Sequence, residues 1–298
     1  MMKMSLYTKT VMIGLVIGLC GISFVFAQSL DGRSFDPEVD PDIDMNIGSW
    51  EDSLPKRTHG NLVERDILTR GDPLNPPSKG AVLRYMKRFT YATLGTNDST
   101  NPVTLKKEQE IFYILSGKGV VKAGGKSADL YEGIAVLMPP EVEFTISNTG
   151  EDDLTMYLIC EPVPDGFKTN TEMKISDENV IPYRTSNGHW SHIVKELFLT
   201  KDNLATLQAV LTVTYHPMTI GHPHSHDPDY GSEEVWTAIK GTSIAFIGKQ
   251  IRMQPPGMAY NIPPDGNTPH SNINNTDKPV KLFYFAVGAG EVRSKKKE

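Results

Sequence analysis

Three histidines lie within five residues in the C-terminal half of the chain, which has eight histidines in all. They are His222, His224 and His226, and alternate residues of an extended strand project from the same face. Glu234 follows on the next predicted strand, and His270 follows a later turn. Imidazole nitrogens and carboxylate oxygens bind zinc and similar first-row ions at about 2.0–2.1 Å per bond. These residues therefore predict a site for one divalent ion, with Mn, Fe, Zn and Ni as candidates.

The spacing leaves some assignments open. The preferred ligand set is His224, His226, Glu234 and His270. His222 and Glu233 are possible substitutes, but Glu234 is preferred over Glu233 because Glu234 alone recurs in the repeat described below. Tyr215 and Glu233 are the candidate catalytic residues, since a general base would have to lie within reach of the open metal positions. Tyr260 lies on a neighbouring predicted strand and could line the same pocket.

The elements that position these residues are predicted to be strands. Short runs of aromatic and β-branched residues recur from Ala81 onward, and each ends at Gly, Pro or Asn. Examples are 111–115, 154–159, 207–215 and 280–287. Many short strands separated by turns are typical of an all-β sandwich or barrel.

An internal repeat divides these strands into two sets. The repeated positions, each 124 residues apart, are Glu110 and Glu234, Gly117 and Gly241, Gly133 and Gly257, Pro139 and Pro263, and Pro140 and Pro264. The period is far longer than a solenoid unit, which indicates a duplicated domain. The first copy has Phe144 where the repeat predicts the third imidazole, and no histidine occurs between Gly60 and Gly188. The N-terminal copy is therefore predicted to hold no metal.

Two motifs in the second copy resemble the signatures of the cupin superfamily. The first is His224-Ser225-His226 with Glu234 and Gly241, and the second is Gly257, Pro263, Gly266, His270 and Asn274. The intervals from His226 to Glu234 and from Gly266 to His270 are longer than is usual in the family, and both extra stretches fall in predicted turns. The resemblance covers roughly residues 81–287. It implies an all-β, double-stranded β-helix (jelly-roll) bicupin with two tandem barrels and a metal site in the C-terminal barrel.

The predicted organisation has six segments. They are a signal peptide (1–27), an extended N-terminal arm or linker (28–80), an N-terminal barrel (81–162), a linker (163–190), a C-terminal barrel (191–290) and a charged tail (291–298). The arm is predicted from its many Asp, Pro and Gly residues, which show no periodicity.

The start of the chain predicts export. Lys3 and Lys9 precede an apolar run from Val11 to Phe26, and Ala27 provides a small residue for cleavage. The run is shorter than the roughly 20 residues that span a bilayer, so stable membrane insertion after cleavage is not expected. The expected location is the bacterial periplasm or the extracellular space. Removal of residues 1–27 leaves Cys160 as the single thiol, so no intramolecular disulfide is expected.

The net charge of the chain and its resemblance to cupins together narrow the range of possible functions. The formal net charge of −6 argues against nucleic acid as a partner. The leading hypothesis is an exported metalloenzyme, an isomerase, lyase or dioxygenase of the cupin type, that acts on a small polar compound derived from a carboxylate or a sugar. The alternative is a non-catalytic protein that binds a sugar acid through its metal. Cupins often pair edge strands between subunits, so a homodimer is a further expectation, unless two barrels in one chain already satisfy that tendency.

Overall fold

The structure is a computed structural model that describes residues 40–183, 192–226 and 232–288. The predicted signal peptide and charged tail lie outside the described residues. The described residues from Asp42 onward belong to one compact unit. No helix in the described part of the chain has the length and apolar character needed to cross a membrane.

Strands dominate the described residues. The first thirteen are β1 (Ile47–Ser49), β2 (Lys56–Thr58), β3 (Leu62–Arg70), β4 (Ala81–Leu83), β5 (Arg88–Leu94), β6 (Val103–Thr104), β7 (Glu108–Ser116), β8 (Gly119–Ala123), β9 (Lys126–Leu130), β10 (Ile134–Met138), β11 (Glu143–Asn148), β12 (Leu154–Pro162) and β13 (Lys174–Asp177). The remaining nine are β14 (His192–Leu199), β15 (Ala209–Tyr215), β16 (Thr219–Ile220), β17 (Glu233–Lys240), β18 (Ser243–Ile247), β19 (Gln250–Gln254), β20 (Met258–Asn261), β21 (His270–Asn274) and β22 (Val280–Val287). Short 3-10 helices span Ile43–Asn46, Trp50–Asp52 and Thr200–Asp202.

Each barrel has one large and one small sheet. The first barrel has an eight-stranded sheet, ordered β13-β10-β7-β12-β5-β3-β2 with β4 beside β3, and a four-stranded sheet, β6-β11-β8-β9. The second barrel has a six-stranded sheet, β1-β20-β17-β22-β15-β14, and a four-stranded sheet, β16-β21-β18-β19. The all-β prediction of two tandem jelly-roll barrels is confirmed.

The central strands are buried on both faces, which explains their continuous apolar sequence. In β12, Met156 and Leu158 point into the core of the first barrel, whereas Tyr157 and Ile159 point toward the second barrel. The same alternation in β22 directs Phe283 and Phe285 toward the first barrel. Alternate side chains of β12 therefore belong to two different apolar cores, one inside the first barrel and one between the two barrels.

The two large sheets pack face to face through an aromatic core. The ring of Phe283 lies 5.1 Å from that of Tyr113 and 5.7 Å from that of Tyr157, measured between centroids. Phe89 lies 5.1 Å from Phe285 in an edge-on arrangement. This shared core, formed by residues from both halves of the chain, fixes one barrel on the other.

The segment predicted to be an extended arm differs in the structure. Within residues 28–80, β1 joins the large sheet of the second barrel by pairing with β20, and β3 joins the large sheet of the first barrel by pairing with β5. The pattern of β3 is hidden in the sequence because the inward-facing Glu64 is charged, and because the pairing with β5 shifts register between Asp66 and Leu68. An inward-facing charge is tolerated here because Arg88 pairs with it.

The predicted linker, residues 163–190, also contributes a strand. β13 pairs with β10 at the edge of the eight-stranded sheet, from Ile134 opposite Asp177 to Leu137 opposite Lys174. Residues 184–191 lie outside the described residues.

Candidate metal centre

Backbone pairing brings the histidines of the two motifs together. The amide of His270, at the start of β21, donates to the carbonyl oxygen of His224 at 2.8 Å, and the amide of His224 donates back to the carbonyl oxygen of His270 at 3.3 Å. The carbonyl oxygen of His226 accepts from the amide of Gly266 at 2.8 Å. These bonds tie the histidine pair to the turn that precedes His270, so the longer turn between Gly266 and His270 does not separate them.

The carboxylate of Glu234, on β17, lies at the centre of the cluster. Its Oε1 is 2.9 Å from Nε2 of His270, and its Oε2 is 3.2 Å from Nε2 of His226 and 3.9 Å from Nε2 of His224. One potential ligand atom from each of the four residues lies within 4.8 Å of the others. The preferred set from the sequence is therefore brought together in space.

The spacing of the four ligand atoms fits a shared cation. Two atoms bound to one ion at about 2.1 Å each are at most about 4.2 Å apart, so small side-chain rotations complete a common coordination sphere. Nε2 of His226 is buried and makes no hydrogen bond to any residue that the structure describes, although it lies 3.2 Å from Oε2 of Glu234. A buried nitrogen aimed at a carboxylate without hydrogen-bond geometry is the arrangement that a metal ion between them would satisfy.

The electrostatic environment favours the protonation states in which Glu234 and His270, two buried groups of the cluster, can bind a metal. Burial by itself would raise the pKa of Glu234, but the surrounding imidazoles outweigh it and hold that pKa well below its usual value. Burial lowers the pKa of His270, which keeps its imidazole neutral. An ionised carboxylate and a neutral imidazole are the forms that bind metals.

Further donors orient the cluster from outside. The indole Nε1 of Trp236 donates to Oε1 of Glu234 at 2.6 Å, and the hydroxyl of Tyr284 donates to Oε2 at 3.4 Å. Nδ1 of His224 lies 3.0 Å from the carbonyl oxygen of His222, so Nε2 of His224 is directed at the cluster. Such outer contacts fix the orientation of metal ligands.

The other site residues named from the sequence are placed differently. Glu233 precedes Glu234 on β17 and points to the opposite face, where its Oε2 accepts from the amides of Arg84 and Tyr85 at 2.5 and 3.1 Å. Glu233 therefore lies in the contact between barrels and outside the cluster. His222 and Tyr215 line a cavity of about 250 Å³ beside the cluster. The ring centroid of His222 is 6.4 Å from that of His224, and His222 is not part of the four-residue set.

The first barrel has a different arrangement at the matching place. Phe144 lies opposite Ala123, as His270 lies opposite Ile247, which agrees with the register inferred from the repeat. Val103 pairs with Phe144. Apolar side chains thus occupy the positions that match His224 and His270 of the second barrel.

A guanidinium and an imidazole neutralise Glu110. Nη2 of Arg88 donates to Oε1 of Glu110 at 2.8 Å, and Nε of Arg88 donates to Oε2 of Glu64 at 2.9 Å. Nε2 of His59 lies 2.9 Å from Oε2 of Glu110. His59 and Glu64 come from the segment predicted to be an arm, so sequence reasoning missed them. The sequence signal that could have found them is a histidine, His59, three residues before the segment Leu62–Arg70, which carries Glu64.

A second cluster of potential ligand atoms lies in the first barrel, at Glu108, Glu110 and Cys160. It fits a metal poorly, because Lys87 and Arg88 already pair with the two carboxylates. Burial also raises the pKa of the Cys160 thiol, which disfavours the thiolate that binds metals.

The fold has two jelly-roll barrels, with a histidine-rich side-chain cluster in the second. The family model described as "Cupin domain" matches residues 91–160, within the first barrel. No curated protein sequence matches this chain.

Solved structures share the fold over most of their length. The putative glyoxylate-induced protein from Pseudomonas aeruginosa has a TM-score of 0.65 and 12% identity, with 85% of this chain and 93% of that chain covered. Protein Ylba from E. coli has a TM-score of 0.61 and 14% identity, with 88% and 97% covered. A mutant of Bacillus subtilis oxalate decarboxylase has a TM-score of 0.61 and 13% identity, with 85% and 79% covered. At these identities the likeness concerns the fold.

Proposed function

We propose that the C-terminal barrel binds one divalent metal ion through His224, His226, Glu234 and His270, and that this site acts on a small polar compound derived from a carboxylate or a sugar. The observation that carries the proposal is the convergence of three imidazoles and one carboxylate within 4.8 Å, beside a cavity of about 250 Å³. That volume lies below the usual range for drug-sized ligands, which favours a compound of few carbon atoms.

The bound ion would act as a Lewis acid toward substrate oxygens. The chain's own residues hold the site in place. Trp236 and Tyr284 donate to the carboxylate of Glu234, so its two oxygens cannot rotate freely. The indole of Trp236 and the phenol of Tyr215 also form part of the cavity wall. Isomerase, lyase and dioxygenase chemistry all remain compatible with this arrangement.

Metal content tests the ligand set directly. We expect His270→Ala to lose stoichiometric metal, because it removes a buried ligand from the centre of the cluster. His216→Ala is the matched control, since His216 is an exposed histidine of the same barrel. Elemental analysis of both purified variants measures the effect. Full occupancy in His270→Ala would show that the ligand assignment is wrong.

Binding without turnover is the second candidate. It is favoured by the positions of the two proposed bases, since Glu233 faces away from the cavity and burial raises the pKa of Tyr215, which keeps its phenol protonated. Turnover by chelator-stripped and metal-reloaded protein on uronates and dicarboxylates separates the two candidates. Metal-dependent binding of such a compound without any product would favour the binding protein.

We also propose export, on the strength of residues 1–27 alone. Protein recovered outside the cytoplasm is expected to begin at Gln28, and N-terminal sequencing measures this. An intact N-terminus on the exported protein would contradict cleavage after Ala27.

A further inference from the structure

A buried amide beside the candidate metal cluster has no hydrogen-bond partner in the part of the chain that the structure describes. Asn272 is two residues after His270 on β21, so both side chains project from the same face of the strand. Asn272 is 1% exposed, and neither Oδ1 nor Nδ2 makes a hydrogen bond to any described residue. Buried side-chain amides are normally paired, so this one calls for a partner that the described residues do not supply.

Two phenols face the same region. Tyr260 is 1% exposed and its hydroxyl also makes no hydrogen bond to the described residues. Burial raises the pKa of both Tyr215 and Tyr260, and the amide of Asn272 partly opposes that rise. The Asn272 amide and the Tyr260 hydroxyl are thus buried without a hydrogen-bond partner among the described residues.

Asn272 and Tyr215 share one cavity with histidines of the metal cluster. The cavity of about 250 Å³ is lined by Asn272, Tyr215, His224 and His270 among others. Gly221 closes one side, and a Cβ at that position would lie 2.6 Å from the hydroxyl oxygen of Tyr215. Any larger residue at Gly221 would therefore crowd the Tyr215 hydroxyl on the cavity side.

We propose that Asn272 is a specificity-determining residue, which hydrogen-bonds a hydroxyl group of a ligand whose other end is held at the metal. The inference deepens the proposed function and rests on it. A primary amide both donates and accepts, and a hydroxyl group does the same, so the two are complementary. Residues i and i+2 of a strand are roughly 6.6 Å apart, which suits a ligand of three or four carbons. The ligand class is therefore a short polyhydroxy acid.

Glycerate and lactate test the proposal as a matched pair. Both offer a carboxylate and a 2-hydroxyl group to the metal, but only glycerate has a further hydroxyl group. We expect metal-loaded wild-type protein to bind glycerate about tenfold more tightly than lactate, as one well-formed hydrogen bond allows. In Asn272→Leu the two affinities should become equal within about twofold, with unchanged metal content. Ile273→Val, on the other face of the same strand, is the control and should keep the wild-type ratio.

The outcomes are read from calorimetric titration of each acid after a separate metal titration. Equal affinities in the wild type, or an unchanged ratio in a metal-loaded Asn272→Leu, would overturn the inference. A wild-type chain that takes up no metal would instead contradict the proposed function, and the metal titration shows this before either acid is added. If Asn272→Leu does not fold, Asn272→Val is measured in the same way and must also lose the preference.

Discussion

At the scale of single residues, the two barrels neutralise equivalent carboxylates in different ways. Glu234 lies among three imidazoles, an indole and a phenol, whereas Glu110 lies between a guanidinium and one imidazole. An isolated buried carboxylate is strongly disfavoured, so each barrel must supply a compensating charge or donor. In the first barrel Arg88 supplies that charge from within the chain.

The indole of Trp236 is expected to support metal affinity through Glu234. Trp236→Phe keeps an aromatic ring but removes the donor that lies 2.6 Å from Oε1 of Glu234. Loss of an outer contact of this kind typically lowers metal affinity about 10–100-fold. Competition with a chromophoric chelator measures the affinity. Trp50→Phe is the control, because Trp50 stacks on Tyr91 and is not a donor to Glu234. This variant should keep the metal affinity of the wild type.

Arg88 is expected to be essential for the stability of the first barrel. Burial opposes ionisation of Glu64, but Arg88 outweighs it and lowers the pKa of Glu64 below its usual 4.5. The stability from this pair is therefore complete above pH 4.5 and is lost as the pH falls through the lowered value. Arg88→Met leaves buried carboxylates unpaired and should cost about 3–5 kcal/mol at pH 7.

The pH dependence of the unfolding free energy tests this role of Arg88. Without Arg88 the buried carboxylates are expected to take up protons more readily, so the difference in unfolding free energy between wild type and Arg88→Met should shrink from pH 7 to pH 4. Urea denaturation at both pH values measures it. Lys87→Met is the matched control, because the Lys87–Glu108 pair is partly exposed and should contribute less than about 1 kcal/mol. An Arg88→Met variant as stable as wild type at pH 7 would contradict the argument.

At the scale of elements, the internal repeat predicted which positions of the two barrels are equivalent, and the hydrophobic pattern alone could not do this. The correspondence of Phe144 with His270 follows from residue offsets, and the strand register agrees with it. β3 escaped prediction because its inward-facing Glu64 is charged, and β1 because three residues carry no usable period. Pairing partners distant in the chain, such as Ile47 and Tyr260, are set by tertiary packing and leave no local signal.

β1 and the 3-10 helix before it are expected to be required for the second barrel. Ile43 and Ile47 are buried against Tyr260 and Ile262, and β1 completes one edge of the six-stranded sheet. A chain shortened to begin at Ser53 loses this edge but keeps β2 and β3. Compared with a chain that begins at Asp42, it should bind metal more weakly and unfold at lower urea concentration. Equal metal affinity and equal stability of the two shortened chains would show that β1 does not support the site.

At the scale of the whole molecule, the aromatic core between the large sheets couples the barrels. Phe283 belongs to the second barrel but packs on Tyr113 and Tyr157 of the first. Separation of the barrels would expose this entire apolar face to water, which is strongly unfavourable. We therefore expect the two barrels to unfold in one cooperative transition, although each has its own inner core.

Phe283→Ala tests this coupling. Truncation of a buried phenylalanine typically costs about 3–5 kcal/mol, and the loss should lower the stability of both barrels because the side chain lies between them. Hydrogen exchange followed by mass spectrometry in increasing urea reports each barrel through its own peptides. Phe246→Ala, at a half-buried position on β18, should cost clearly less. Two results would contradict the coupling: destabilisation of the second barrel alone in Phe283→Ala, or exchange of wild-type peptides from the two barrels at separate urea concentrations. In either case the barrels would be independent folding units, and the face between them would contribute little to stability.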